Sequence, residues 1–274
     1  MVELLMHAKQ LEVTYGSVRR ASVKVLHGVD FTLMRGETVG IVGESGSGKT
    51  TLGRALLRLV DVSAGEILFG GDDITDLGDT AMRPYRRRMQ MIFQDPMASL
   101  NPRHQIGQIL ADPLLFHGVA KTRREADERV RSMLDRVGLP QAVLTRNPHE
   151  ISGGQRQRVG IARAALLQPE FVLADEIVSG LDVSTQAQVL NLLKDLCRDM
   201  GLAMAFISHD LSVIRAVCDR VMVLRQGRVV EEGPCASVFA APKSDYTREL
   251  LDAIPLPEVD SGWLDRVSGN DMAG

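Results

Sequence analysis

The sequence has little cysteine. Cys197, Cys218 and Cys235 are its only three, far apart and without the paired spacing of a zinc site or a disulfide framework, so reduced thiols in a cytosolic protein are the expectation. It also lacks any run of about 18–20 unbroken apolar residues, the length a membrane-spanning helix needs. Residues 1–10 carry Glu3, His7 and Lys9 and lack the long apolar core of a secretory signal. A cytoplasmic chain is expected, with any membrane part of its work supplied by another polypeptide. Positive charge is not in excess either: 32 Lys and Arg stand against 35 Asp and Glu, a formal net charge of −3. That balance gives no basic field for nucleic acid. Internal repeats, low-complexity tracts and long heptad runs are absent as well.

What is present is ordinary for a globular protein: 45% hydrophobic and 24% charged residues in 274, enough for one large domain or one domain with a lobe. Residues 29–34 read as a strand of mixed pattern. Residues 38–42 form a short apolar run that stops at Gly43, as a buried strand would. A helical segment follows at 49–60. Mainly apolar runs at 89–93, 171–174 and 203–207 each precede a polar or acidic turn, so strands alternate with helices around a largely parallel sheet. Residues 101–150 contain no convincing strand. Val130, Met133, Leu134 and Val137 recur there at helical spacing, and Gly138 and Pro140 end that helix. This block reads as a helical lobe inserted into the α/β core. A second stripe, Val189, Leu192, Leu193 and Leu196, marks a helix over 184–200. A short helix is expected at 246–253, and a poorly ordered tail beyond it.

Gly43-Glu44-Ser45-Gly46-Ser47-Gly48-Lys49-Thr50 matches the phosphate-loop pattern G-x-x-x-x-G-K-[ST] at every fixed position. The glycines let the backbone curl so that successive N–H groups face one anion site, and the following helix points its positive end at the same place. Lys49 would reach the β- and γ-phosphates and the Thr50 hydroxyl would ligate Mg²⁺. Thr51 extends the binding loop. Ser152-Gly153-Gly154-Gln155, preceded by Ile151, is a second candidate anion device, a Ser hydroxyl and glycine N–H groups opening a helix; the tetrapeptide alone is also credible as a plain cap. The strand 171–174 runs into Asp175 and Glu176, two adjacent carboxylates pinned by a buried strand.

Taken in order, these stretches resemble the ABC ATPases, and the likeness spans about residues 11–255. Ser152, Gly153, Gly154 and Gln155 resemble the family's signature, with Ile151 where Leu is usual. The resemblance implies an α/β fold: a P-loop NTPase (RecA-like) core with an antiparallel β subdomain and an inserted α-helical subdomain. It implies one ATPase domain over 1–256, with the lobe at about 101–166, and a tail at 257–274. ATP and Mg²⁺ would be bound. Asp175 would hold the Mg²⁺ shell and Glu176 would act as general base. Gln94 resembles the Q-loop glutamine that ligates Mg²⁺, His209 the switch histidine, Asp182 the D-loop aspartate, and Tyr15 the aromatic that stacks on adenine. Two such subunits would sandwich two ATP molecules, each held by one subunit's loop and the other's signature.

The basic stretch 17–24, Pro148-His149-Glu150 and the run Val238-Phe239 through Tyr246-Thr247-Arg248-Glu249-Leu250-Leu251 to Ile254-Pro255 resemble the oligopeptide/dipeptide/nickel importer group. The implied partners are two permeases, a second ATPase subunit and, indirectly, an extracytoplasmic binding protein. The implied place is the cytoplasmic face of the inner membrane, with no nucleic acid bound. Peptides are the first expected cargo and nickel the second. A non-transport ABC ATPase acting on ribosomes or DNA, and a small-molecule kinase, are the competing readings. Two departures stand out: Ile177-Val178 replaces the usual Pro-Thr after the catalytic glutamate, and Gly180 replaces a frequent Ala. No cysteine cluster near the C-terminus suggests an iron–sulfur centre.

Overall fold

The computed structural model describes residues 3–16 and 22–253. Most of the basic stretch 17–24, the Ile254-Pro255 end of the importer-like run and the expected tail at 257–274 lie outside the described residues. The chain forms two compact units, one from the described residues up to Tyr85 together with those from Gly201 onward, the other from Arg86–Met200.

The first unit holds an antiparallel sheet and a set of mainly parallel strands. The antiparallel sheet runs β2-β1-β4-β5, with β1 at Leu4–Tyr15, β2 at Val23–Met34, β4 at Ala64–Phe69 and β5 at Asp72–Asp73. In β1 the alternation of buried and exposed residues breaks at Lys9 and Gln10, where the register with both neighbours shifts. Gln10 takes a left-handed φ of 48°, and its N–H and amide both bond the Asp30 carboxylate, at 2.7 and 2.8 Å. That bulge returns Leu11 to the buried face. Strand β3, Thr38–Val42, lies between β8, Ala203–Ile207, and β9, Arg220–Arg225, parallel to both. All five residues of β3 and of β8 are buried, as expected of parallel strands covered on both faces. Strand β10, Arg228–Pro234, returns antiparallel to β9 through a two-residue turn, Gln226-Gly227, both at positive φ.

The helices of this unit are α1, Lys49–Leu56, α7, Leu211–Val217, α8, Cys235–Ala240, and α9, Asp245–Ala253. Helix α1 stops four residues short of the 49–60 expected. Its end is a Schellman arrangement in which Leu59 N–H reaches the Arg54 carbonyl and Arg58 N–H the Ala55 carbonyl, with Arg58 left-handed at φ 52°. Glycine usually marks that position. Here an arginine fills it, its guanidinium bonded to the Ile74 carbonyl at 3.1 Å, and the sequence carries no stop signal.

Helix α2, Asp79–Arg88, crosses from one unit's sequence into the other's. The second unit then contains β6, Met89–Ile92, and β7, Phe171–Asp175, paired in parallel, with α3, Ile106–Phe116, α4, Arg123–Arg136, α5, Gly153–Leu166, and α6, Val183–Met200. Thr122 caps α4 by accepting the Glu125 N–H at 3.2 Å. The stripe of Val130, Met133, Leu134 and Val137 is buried, and Gly138 ends the helix region at φ 67°. In α6 the buried face is Val189, Leu190, Leu193 and Leu196; Leu192 is only half-buried, and Leu190, one turn before Leu193, takes its place.

Gly227 and Gly36 both have φ near 70°, but a Cβ on Gly227 would sit 1.9 Å from the Val25 carbonyl oxygen, whereas one on Gly36 meets nothing within 4 Å. Gly36→Ala should therefore cost only the left-handed backbone penalty, about 1–2 kcal/mol. Gly227→Ala should cost at least ~3 kcal/mol through added backbone displacement. Urea denaturation of the two variants, read as midpoint shifts at unchanged slope, checks the difference.

Candidate active site

In the first unit, β3 ends at Val42 and the chain enters a loop whose Gly43, Gly46 and Gly48 take φ of 147°, 80° and 104°, outside the range most side chains tolerate. Gly43 is irreplaceable on contact grounds too, since a Cβ there would lie 2.1 Å from the Leu224 carbonyl oxygen. Helix α1 begins at Lys49 with Gly48 as its cap residue and no side chain capping it. Its first-turn N–H groups have no carbonyl one turn earlier, so they point out of the helix as an anion site does. The Lys49 side chain is buried, and its ammonium donates to the Gly43 and Glu44 carbonyls at 2.7 and 2.8 Å. The Ser47 hydroxyl is buried without a hydrogen-bond partner, a polar group in want of one.

The register of β3 with β8 pairs Ile41 with Ile207, so Gly43 and His209 each lie two residues past that matched pair, at the carboxyl ends of adjacent strands. His209 is exposed, and its neighbours are pinned: Ser208 is buried and accepts the Asp210 N–H at 3.0 Å, while Asp210 caps α7 through the Ser212 and Val213 N–H groups. Tyr15, the last residue of β1, is 43% exposed, as a ring meant for stacking would be.

The second unit repeats this construction. Ile92 of β6 pairs with Ala174 of β7, so Gln94 and Glu176 again each lie two residues past a matched pair. They meet there, the Gln94 amide donating to the Glu176 carboxylate at 3.3 Å. Asp175 closes β7 and is buried, and Glu176 is half-buried with a left-handed φ of 48°. Non-glycine residues seldom adopt that region, and such strain gathers at functional positions. Ile177 and Val178 are both buried, so the apolar pair standing where Pro-Thr is usual anchors the turn that carries Glu176.

Ser152 and Gln155 form a reciprocal capping box at the start of α5: the Gln155 N–H donates to the Ser152 hydroxyl at 3.2 Å and the Ser152 N–H to the Gln155 side chain at 3.1 Å. Ser152 and Gly153 are exposed, while Gly154 lies against α6, where a Cβ would come within 2.9 Å of the Thr185 methyl. Asp182 caps α6, taking the Thr185 N–H at 2.9 Å and the Ser184 and Thr185 hydroxyls at 2.7 Å each. Thus Lys49, Thr50, Thr51, His209 and Tyr15 belong to the first unit, and Gln94, Ser152 to Gln155, Asp175, Glu176 and Asp182 to the second. Sequence reasoning missed two neighbours of the loop, the Gly227 N–H on the Ser47 carbonyl and the Tyr246 hydroxyl on the Glu44 N–H. No motif marks either, because each acts across about 180 or 200 residues of chain.

A family profile described as ABC transporter matches residues 26–179, more than half of the chain. The chain belongs to the ABC transporter family. Among its relatives, a putative peptide import ATP-binding protein of Brucella ovis is 54% identical over 243 residues, covering 89% of this chain and 76% of that protein. The oligopeptide transport ATP-binding protein OppF of Bacillus subtilis is 46% identical over 261 residues, 95% of this chain and 85% of its own length. Of solved ABC structures, a dimeric post-hydrolysis state of the ATP-binding cassette MJ0796 bound to ADP and Pi superposes with a TM-score of 0.77 at 30% identity, covering 84% of this chain and 99% of that one. CbiO1 of Clostridium perfringens, part of the transporter complex cbiONQ, matches with a TM-score of 0.77 at 27% identity, covering 87% and 92%.

The Thr185 N–H first, then the Ser184 and Thr185 hydroxyls, hold the Asp182 carboxyl well below the usual carboxylate range. Because the folded value is depressed, the cap's contribution is complete above the ordinary aspartate value of about 3.9 and is lost only as pH falls through the lower folded value. Carbon-detected NMR titration should find Asp182 still ionised at about pH 3. Asp182→Ala should remove amide-exchange protection from the first turn of α6.

Proposed function

We propose that this chain binds ATP with Mg²⁺ and hydrolyses it as the energy-supplying subunit of a peptide importer. The observation that carries the ATP reading is a loop of three positive-φ glycines that leads straight into the start of α1, with a buried lysine inside it. The peptide reading rests on relatives at 46–54% identity whose names state peptide or oligopeptide import. Residues 1–256 then act as one ATPase domain, with the helices of about 101–166 as its inserted lobe.

In this reading Lys49 meets the phosphate oxygens from where the Gly43 and Glu44 carbonyls hold it, and the α1 N–H groups hold the same phosphates. Residues 43–51 form the cradle and Tyr15 stacks on the base. Glu176 takes a proton from the attacking water, His209 orients that water against the γ-phosphate, and Gln94 must release Glu176 before either can act. The candidate Mg²⁺ ligands Thr50, Gln94 and Asp175 offer only oxygen, which suits an ion that takes few protein ligands and keeps water and phosphate oxygens around it. When bound, that ion would offset the negative charge of the phosphates. The exposed Ser152 and Gly153, with Gly154, Gln155 and Asp182, would serve an ATP held by a second ATPase subunit. That second subunit fits the dimeric state of the solved cassette MJ0796. No helix among the described residues is long and apolar enough to cross a membrane. By likeness to the import ATP-binding relatives, the proposed placement is peripheral, on the cytoplasmic face, against two permeases and indirectly an extracytoplasmic peptide-binding protein.

Glu176→Gln should keep ATP binding while lowering turnover at least ~100-fold, the usual scale for loss of a general base. Near-normal steady-state hydrolysis would remove Glu176 from that role. Affinity capture from gently solubilised membranes should recover two multi-span permeases with the tagged chain. Recovery only with ribosomes or DNA would overturn the transport assignment and leave the ATP chemistry standing.

A further inference from the structure

The phosphate loop rests on more than its own strand and helix. Three contacts reach it from the chain beyond residue 220. Gly43 lies against the Leu224 carbonyl of β9, and the Gly227 N–H donates to the Ser47 carbonyl at 2.9 Å. These two come from backbone. The third is a side chain: the Tyr246 hydroxyl, in the first turn of α9, accepts the Glu44 N–H at 3.0 Å.

Tyr246 is well held. It is only 3% exposed, and the Arg225 guanidinium lies over its ring, 4.5 Å from the centroid. Helix α9 is itself tied to β10. The buried Glu231 carboxylate takes the Lys243 N–H on one oxygen at 2.9 Å and the Ser244 N–H on the other at 3.0 Å, just ahead of the helix. A negative group there gives acceptors to N–H groups just ahead of the helix and complements the helix dipole. One line of contacts thus runs from Glu231 through the start of α9 to Tyr246 and the loop.

The consequence follows from peptide planarity. The Glu44 N–H and the Gly43 C=O belong to the same rigid plane, so a bond that holds the first also aims the second. The Gly43 carbonyl is one of the two that hold the Lys49 ammonium. Beside a glycine this plane has no Cβ to resist its rotation. We propose that Tyr246 is a positioning residue of the ATP site: its hydroxyl fixes the Gly43–Glu44 peptide plane and with it the placement of Lys49, so that the last helix of the ATPase domain is part of the phosphate-binding machinery. The Glu44 carbonyl at the far side of that residue accepts Lys49 and the Ser47 N–H, which leaves the Tyr246 contact to set the near side.

This inference rests on the ATP reading above, and the test separates the two. Tyr246→Phe keeps the ring and its Arg225 contact while removing the hydroxyl. In the full-length chain, ATP affinity by calorimetric titration should weaken about 3–10-fold, the scale of one lost hydrogen bond. KM for ATP should rise in step with kcat unchanged, while the nucleotide-free melting temperature falls by no more than a few degrees, the scale of the same lost bond. Glu231→Gln leaves one acceptor oxygen for two N–H groups and loosens α9 without touching the loop. It should weaken ATP binding in the wild-type background and add nothing in the Tyr246→Phe background, because both act through one contact. Tyr246→Phe with wild-type affinity, or effects of the two substitutions that add in full, would overturn the proposal. A wild-type chain that binds no ATP would instead overturn the functional reading.

Discussion

Parallel strands covered on both faces leave little room for polar side chains along their length, and that constraint decides where chemistry can occur in this protein. Strands β3, β7 and β8 are buried throughout. Each carries its candidate functional groups at its carboxyl end: the glycine loop after Val42, Asp175 and Glu176 at the close of β7, Ser208 and His209 after Ile207. Register completes the arrangement. Neighbouring strands end level, so Gly43 and His209 emerge side by side, and Gln94 and Glu176 do the same. Carboxyl ends of parallel strands are where open α/β sheets bind ligands in general.

A second regularity concerns what the polar groups do among themselves. Lys49 is held by the carbonyls of its own loop, Glu176 receives the Gln94 amide, Ser152 and Gln155 cap one another, and Asp182 caps α6. Buried or half-buried polar groups are costly without partners, and these have found local ones. Ser47 is the exception within the phosphate loop, buried with its hydroxyl unsatisfied. The groups assigned to ATP are therefore held near their working positions before ATP arrives.

Much of this was legible in the sequence, for reasons that differ by element. Strands β3 and β8 are legible to the residue because each is a short, mainly apolar run that stops at a turn residue, Gly43 and Ser208. The phosphate loop was legible because its glycines serve a backbone shape that few other residues permit. The end of α1 was not, because Arg58 occupies the left-handed position that glycine normally announces. The length of β1 was hidden by the bulge at Gln10, which breaks the alternation from which strands are read. In α6 the spacing misassigned one leucine, since Leu190 and Leu192 fit the stripe about equally until packing chooses. Tyr246 was visible only as a marker of a subgroup. Its contact with Glu44 joins residues 202 apart, and no local pattern encodes such a meeting.

The burial of Lys49 has a kinetic side. Only 6% of this residue is exposed, and its ammonium already sits against two carbonyl oxygens. The whole chain carries a formal net charge of −3, so the attraction of this one ammonium for an anionic nucleotide is set against a field of the nucleotide's own sign. Long-range attraction therefore contributes little to the capture of an anionic nucleotide. Encounter is left to diffusion, so attraction at low ionic strength adds little to the rate of capture.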